Sequence, residues 1–338
     1  MKAAFYKEKG QFTIGEGQLI KPEKGEVRLQ VAYCGVCGTD VHIYHGVMDK
    51  RIKPPQIVGH EASALVAEIG EGVTNVKVGD RVAIRPLKFG APHPSDKGHS
   101  HVGKNLKIIG IDSPGAFQNS WTVPAYTLHK LPDKLSMKHG AFIEPLSVAC
   151  HDVKIGRVKI GENCLVMGGG PIGTLIAFVL KEKGANVMIS EINDARLEML
   201  SDLGFHTNNP AKEDLTKQIS AFTNEGMMDC VFEVSGSAAA VTAMTDVVNA
   251  RGRIVMVAIH TVRREIDLFK FFWSEIELLG TRLYQEDDYE EAIRIASSGL
   301  IPFDKLITKT DSLENIQSVF EIIDDNPAGM KYLIDCQQ

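Results

Sequence analysis

The stretch CLVMGGGPIGTLIAFVLKEKGANVMISE, residues 164–191, decides the fold. A short apolar run, CLVMGG (164–169), ends in a glycine turn. PIGTLIAFVLKEKG (171–184) then carries the apolar period of a helix, which Gly184 stops. ANVMISE (185–191) reads as the next strand. Strand, turn, helix and strand in this order make one crossover unit of a parallel sheet.

Inside the turn, Gly168, Gly170 and Gly173 form G-x-G-x-x-G around Pro171 and Ile172. The spacing alone is weak in a chain with 31 glycines, but here a strand precedes it and a helix follows. The first glycine makes a tight turn, the second lets backbone approach a diphosphate, and the third lets helix and strand pack closely. The helix N-terminus offers free N–H groups and positive partial charge to phosphates. Glu191 closes the second strand, where a carboxylate accepts ribose hydroxyls and repels a 2′-phosphate, so NAD is favoured over NADP. Arg196 works the other way, because a nearby cation tolerates that phosphate. The bland alternative, a structural turn beside a solvated Glu, has to explain all five features in order.

Working outward, NDARLEMLSDLG (193–204) reads as a helix capped by Asn193, and MDCVFEVSG (228–236) and GRIVMVAI (252–259) as further strands. From about residue 287 the rhythm breaks into a helix, DYEEAIRIASSG (288–299), and a last strand, MKYLIDC (330–336), able to return to the first domain. Towards the N-terminus the texture is β-rich: EVRLQVAYC (26–34), ASALVAEIG (62–70) and DRVAIRP (80–86) read as strands. Residues 87–120, rich in Gly, Pro, His and Ser, read as a long loop or lobe.

A length of 338 residues with 44% hydrophobic and 24% charged residues suits two globular domains. The net charge of -6, with both signs interspersed, excludes a basic nucleic-acid footprint. No apolar run approaches the roughly 18–20 residues that cross a bilayer, and MKAAFYKEKG lacks the apolar core of a secretory signal. Six cysteines, at 34, 37, 150, 164, 230 and 336, are too dispersed for a disulfide framework and fit a reducing cytoplasm.

Cys37 lies in CGVCGTD, His60 and Glu61 in VGHEAS, and Glu144 in FIEPLS. Thiolate, imidazole and carboxylate together suit a tetrahedral zinc site. Cys34-x-x-Cys37 could instead be half of a zinc knuckle or a redox pair, but no second C-x-x-C accompanies it. A lone His60 would be an ordinary structural histidine, and a lone Glu144 a solvated helix residue. Pro145 places Glu144 at a helix start instead. Residue types alone leave the site open.

Taken together, the motifs resemble the zinc-dependent medium-chain dehydrogenase/reductase family, and within it the polyol branch of sorbitol, threonine, butanediol and sugar-acid dehydrogenases. The resemblance rests on CGVCGTDVH (34–42), GHEASALVAEIGEGVTNVKVGDRV (59–82), EPLSVACH (144–151), GGGPIG (168–173) and GTRLY (280–284), and it covers nearly the whole chain. It implies an α/β protein: a GroES-like β domain over 1–145, completed by 287–338, plus a Rossmann doubly wound parallel-sheet domain over 146–286, with cofactor and substrate meeting in the cleft between. It implies one catalytic Zn2+ held by Cys37, His60 and either Glu61 or Glu144. Thr39 would hydrogen-bond the reacting alcohol, His42 would relay its proton, and Asp40 would orient the zinc-bound histidine. Glu191 and Arg196 would hold the adenosine ribose, Arg282 would reach substrate hydroxyls, and Tyr44 would line the substrate side of the cleft.

Two positions depart from the family pattern. The 87–120 lobe has no cysteine, so no structural zinc is expected, and Ala64 stands where relatives carry glycine. The implied reaction moves a hydride from a secondary alcohol of a polyol, sugar or sugar acid to NAD. L-threonine and vicinal diols are alternative substrates, and a non-catalytic NAD- or sugar-binding protein is a further reading. The expected partner is a small polyhydroxylated substrate, with no nucleic acid and no membrane. The expected assembly is a homodimer or homotetramer built through IELLGTR (276–282).

Overall fold

Six strands carry the glycine turn in a computed structural model that describes residues 1–338. In spatial order they are His206–Asn208, Asn186–Ser190, Asn163–Met167, Met228–Glu233, Val248–Met256 and Glu277–Gly280, all parallel. Numbered along the chain this is 3-2-1-4-5-6, the doubly wound order whose ligand crevice opens where the order reverses, at the carboxyl ends of strands 1 and 4. Cross-strand register aligns those ends in one row: Met167 with Glu233, Glu233 with Met256, and Met256 with Gly280. The chain divides by contacts into this unit, Leu146–Asp288, and a second made of Met1–Pro145 with Tyr289–Gln338.

The strands of the first unit are apolar along their length, with Cys164, Leu165, Val166, Val231 and Phe232 fully buried, as a sheet covered on both faces requires. The three-residue strand His206–Asn208 escapes a reading by pattern because it is short and polar. Helix Pro171–Glu182 begins on proline, whose missing N–H costs nothing at a first helical position. Asn193 caps the helix Asp194–Asp202 by accepting from the Arg196 amide at 3.0 Å.

The other unit is a mixed sheet ordered Ile307–Ser312, Lys331–Asp335, Glu26–Gly35, Glu61–Ile69, Arg81–Ile84 and Leu128–Lys130, with Ser120–Pro124 also paired to Glu26–Gly35. The last strand therefore does return: Lys331–Asp335 pairs antiparallel with Glu26–Gly35, joining Leu333 to Gly35. The 87–120 segment holds a two-residue ribbon, Leu87–Lys88 with Lys107–Ile108, and two short 3-10 turns. A hairpin, Lys2–Glu8 with Gln11–Glu16, precedes the main sheet and was not foreseen from the sequence.

Gly173 shows how tightly the turn is built. A Cβ there would fall on the carbonyl oxygen of Gly168, backbone that has nowhere to go. Gly173→Ala is expected to destabilise the protein by roughly 1–3 kcal/mol through this overlap and to weaken dinucleotide binding. Thermal denaturation and dinucleotide titration check both, and a variant with native melting temperature and native affinity would contradict the packing described.

Candidate metal centre and dinucleotide turn

The helix Gly38–Tyr44 has seven residues, too few to persist alone. Packing holds it. Tyr44 stacks with Phe12 and Phe320 at centroid distances of 6.1 and 5.1 Å, and its hydroxyl accepts from Gln317 Nε2 at 3.1 Å. The expectation that Tyr44 faces substrate is thereby corrected. Its ring is core, because an aromatic cluster encloses it and its polar tip is already engaged. The cluster instead fixes the helix that carries Thr39, Asp40 and His42.

Asp40 is completely buried on that helix. Its Oδ2 accepts from the Cys37 amide at 3.0 Å, and its Oδ1 faces His60 Nδ1 at 3.6 Å. Neither Asp40 Oδ1 nor His60 Nδ1 has a hydrogen-bond partner at normal distance. Burial alone would lower the His60 pKa, but the Asp40 carboxylate and the Cys37 sulfur outweigh it and raise the pKa well above the usual value. With Nδ1 turned to Asp40, Nε2 is the ring nitrogen left for an ion. Cys37 Sγ, a His60 ring nitrogen and a Glu61 carboxylate oxygen all lie within 4.8 Å of one another.

A fourth group completes the charge balance. Lys331, on the last strand, is buried with its ammonium against Glu61 Oε2, and it donates to the Val36 carbonyl at 3.0 Å. Burial would lower its pKa, yet Glu61, Cys37 and Glu144 together raise it, so the lysine stays charged. Gly35 makes the pair possible, since a Cβ there would strike both Glu61 Oε2 and Lys331 Cε. Lys331 was missed from the sequence, although one cation in the apolar strand KYLID is itself a signal. A charge on a buried strand needs a partner.

Glu144 is not one of the three converging groups. It lies buried in the first turn of helix Ile143–Ile155. Its charge reaches Lys331, and it adds to burial in raising the Tyr289 pKa. Thr39 is half-buried in the first turn of the short helix, and His42 is exposed one turn later. Sulfur, imidazole and carboxylate in a buried spot, with an Asp–His pair left short of a full hydrogen bond, are a donor set that fits a tetrahedral zinc ion.

In the other unit, Glu191 is tied into the turn. Its Oε2 accepts from the Gly169 amide at 2.8 Å, and its Oε1 accepts from Ile192 and Asn193 at 2.7 and 2.9 Å. Arg196 Nη1 stands 3.7 Å from Glu191 Oε2 and beside Gly170. The carboxylate therefore organises backbone first, which leaves less of it for ribose hydroxyls than its strand-end position suggested. Because Pro171 has no N–H, the helix offers the amides of Ile172 and Gly173 to a diphosphate. These features fit a dinucleotide. Arg282 is exposed just past the strand Glu277–Gly280, at the same end of the sheet as Gly168.

Lys331→Met tests the charge balance. Stranding the Glu61 carboxylate is expected to cost about 3–5 kcal/mol in metal-free protein, and zinc should recover part of that by serving as the counter-ion. Denaturant unfolding with and without zinc measures it; an equal loss in both conditions would mean that Glu61 does not face the ion.

The alcohol dehydrogenase GroES-like domain model matches residues 23–133, and the zinc-binding dehydrogenase model matches 171–298. The chain is 50% identical over 99% of both sequences to 2-dehydro-3-deoxy-L-galactonate 5-dehydrogenase of Pseudoalteromonas atlantica. It is 32% identical to L-threonine 3-dehydrogenase of Pyrococcus horikoshii, covering 93% of this chain and 92% of that one. The crystal structure of 2R,3R-butanediol dehydrogenase from Bacillus subtilis superimposes with a TM-score of 0.91 at 29% identity, covering 99% of each chain. By its two domains, its converging Cys37, His60 and Glu61, and its likeness to these relatives, the chain belongs to the zinc-type medium-chain dehydrogenase family, in the polyol branch.

Proposed function

We propose that the protein is a zinc- and NAD-dependent sugar-acid dehydrogenase, oxidising a secondary hydroxyl of a 2-dehydro-3-deoxy-aldonate. The observation that carries this reading is the 50% identity over 99% of both chains to the 2-dehydro-3-deoxy-L-galactonate enzyme, joined to the complete Cys37, His60 and Glu61 donor set. Cys37 Sγ, His60 Nε2 and Glu61 would hold a single zinc. When bound, zinc acts as a Lewis acid that lowers the pKa of the substrate hydroxyl. A bound nicotinamide would supply the hydride acceptor for the carbinol carbon.

The chain's own residues do the rest. Thr39 Oγ1, two residues beyond Cys37, accepts the hydroxyl proton and passes it towards His42. The imidazole of His42 is exposed and hands the proton to solvent. Asp40 holds the His60 ring and the Cys37 loop in one geometry, so neither has to reorganise during turnover. Lys331 lies against Glu61 as its buried counter-ion, and Glu144 stands in reserve as the second carboxylate. Arg282 takes substrate oxygen atoms, and a guanidinium can grip a carboxylate with two parallel hydrogen bonds. The turn Gly168–Gly173, with Gly170, Pro171 and Ile172, would hold the diphosphate, and Glu191 and Arg196 would hold the adenosine ribose.

The absence of cysteine from 87–120 supports a protein with no second, structural zinc. Six unpaired cysteines support a cytoplasmic setting, and no helix is long and apolar enough to cross a membrane. A homodimer or homotetramer is supported by the open edge strand Glu277–Gly280 and by the exposed Phe269, Phe272 and Trp273 on the preceding helix.

A panel of 2-dehydro-3-deoxy-aldonates, polyols, vicinal diols and L-threonine, assayed with NAD and zinc, tests the substrate. Preference for threonine or a diol over every sugar acid would overturn it. Cys37→Ser should lose zinc and turnover together, because the soft thiolate anchors the ion; normal metal content in that variant would remove Cys37 from the site. Glu191→Gln should narrow the preference for NAD over NADP by about five- to tenfold, the worth of roughly 1 kcal/mol of charge repulsion. An unchanged ratio of kcat/KM values for the two cofactors would take Glu191 out of the ribose site.

A further inference from the structure

The row of carboxyl ends that begins at Met167 finishes at Gly280, and the next five residues, Thr281–Gln285, lead into helix Glu286–Ala296. This loop is pinned at both ends by buried acids. At its start, the Thr281 hydroxyl donates to Asp152 Oδ1 at 2.8 Å. At its finish, the Gln285 amide donates to Asp288 Oδ2 at 2.8 Å, and Asp288 is itself held by His151 Nδ1 at 2.7 Å and Lys154 Nζ at 3.1 Å. Tyr284 is fully buried between the two anchors. Arg282 is thus left exposed, beside Leu283 in the left-handed region at φ 56. A leucine rarely adopts that conformation, and it persists only where its surroundings over-determine it.

Asp152 is an expensive anchor. It is buried on helix Ile143–Ile155, its Oδ2 has no hydrogen-bond partner, and the charged group acting on it is another carboxylate, Asp288. Burial, opposed by the Thr281 hydrogen bond and aided by Asp288, pushes its pKa up to about 8. An acid whose pKa is raised on folding stabilises the native state at low pH and loses that contribution as pH climbs through the folded value. The protein therefore carries a residue that weakens it near neutrality, at a place where a leucine or asparagine would fill the same space.

We propose that Asp152 is a positioning residue which, through the Thr281 hydroxyl, locks the Thr281–Gln285 loop in the strained conformation that presents Arg282 to substrate. This rests on the reading that Arg282 contacts substrate. The anchor acts on the loop alone, so its loss shows in substrate KM rather than in cofactor binding.

Steady-state kinetics of the zinc-loaded enzyme with 2-dehydro-3-deoxy-L-galactonate test it. Thr281→Val and Asp152→Ala should each raise substrate KM by about five- to tenfold or more, the usual worth of a lost buried hydrogen bond, with kcat within about twofold and NAD KM unchanged. Thr281→Ser and Asp152→Asn, which keep donor and acceptor, should restore the native substrate KM. Asp152→Asn should also remove the fall in stability between acid and mildly alkaline pH. Added to Arg282→Ala, Thr281→Val should change substrate KM no further. If Arg282→Ala raises substrate KM while Thr281→Val does not, or if NAD KM rises in parallel, the positioning role is wrong. If Arg282→Ala leaves substrate KM at the native value, the reading of Arg282 itself has failed. Should Asp152→Ala not fold, the Thr281 pair decides alone.

Discussion

One buried carboxylate governs the metal side of this protein. Asp40 accepts from the Cys37 amide with one oxygen and faces His60 with the other, so it sets the sulfur loop and the imidazole with respect to each other. Remove that bridge and two donors on separate elements would each have their own freedom. The constraint works only because the short helix bearing Asp40 is held through its own Tyr44 by Phe12 and Phe320, residues from two remote parts of the chain. The position of Cys37 therefore depends on aromatic packing at the far end of its helix.

Charge is handled in the same spirit. Glu61 is tolerable in a buried spot because Lys331 lies against it, and Lys331 arrives only when the last strand pairs with Glu26–Gly35. Pairing of the last strand thus supplies the cation that lies against Glu61. Asp152 shows the opposite outcome for the same residue class. Buried with no cation of its own and near Asp288, it is pushed towards the neutral acid. Neighbours, not residue identity, decide how a buried carboxyl is accommodated.

On the dinucleotide side, the turn is held by the protein's own hydrogen bonds and packing. Three backbone amides converge on Glu191, and Gly173 sits where no side chain would fit. Such a rigid cradle has little conformational entropy left to lose on binding. Arg196 stands beside Glu191, so the charge of the carboxylate at this turn is offset by a cation of the same unit.

Much of this was legible from residues alone. The period of 164–191 announced a parallel crossover unit, and the strands around 26–34, 62–70 and 80–86 followed from alternation, because periodicity is a local property of the chain. Motif resemblance singled out Cys37, His60, Glu61 and Glu144, but distance along the chain says nothing about distance in space. Only the folded sheet brought the first three within reach and left Glu144 outside the group. Tyr44 looked like a substrate residue and proved to be core. Lys331 left a signal as the cation of an apolar strand, but its pairing with Glu61 and the Asp152–Thr281 anchor were invisible, since each partner lies more than a hundred residues from its mate. Local pattern determines which elements form; which side chains share a buried volume, and hence which charges survive there, is decided when those elements pack.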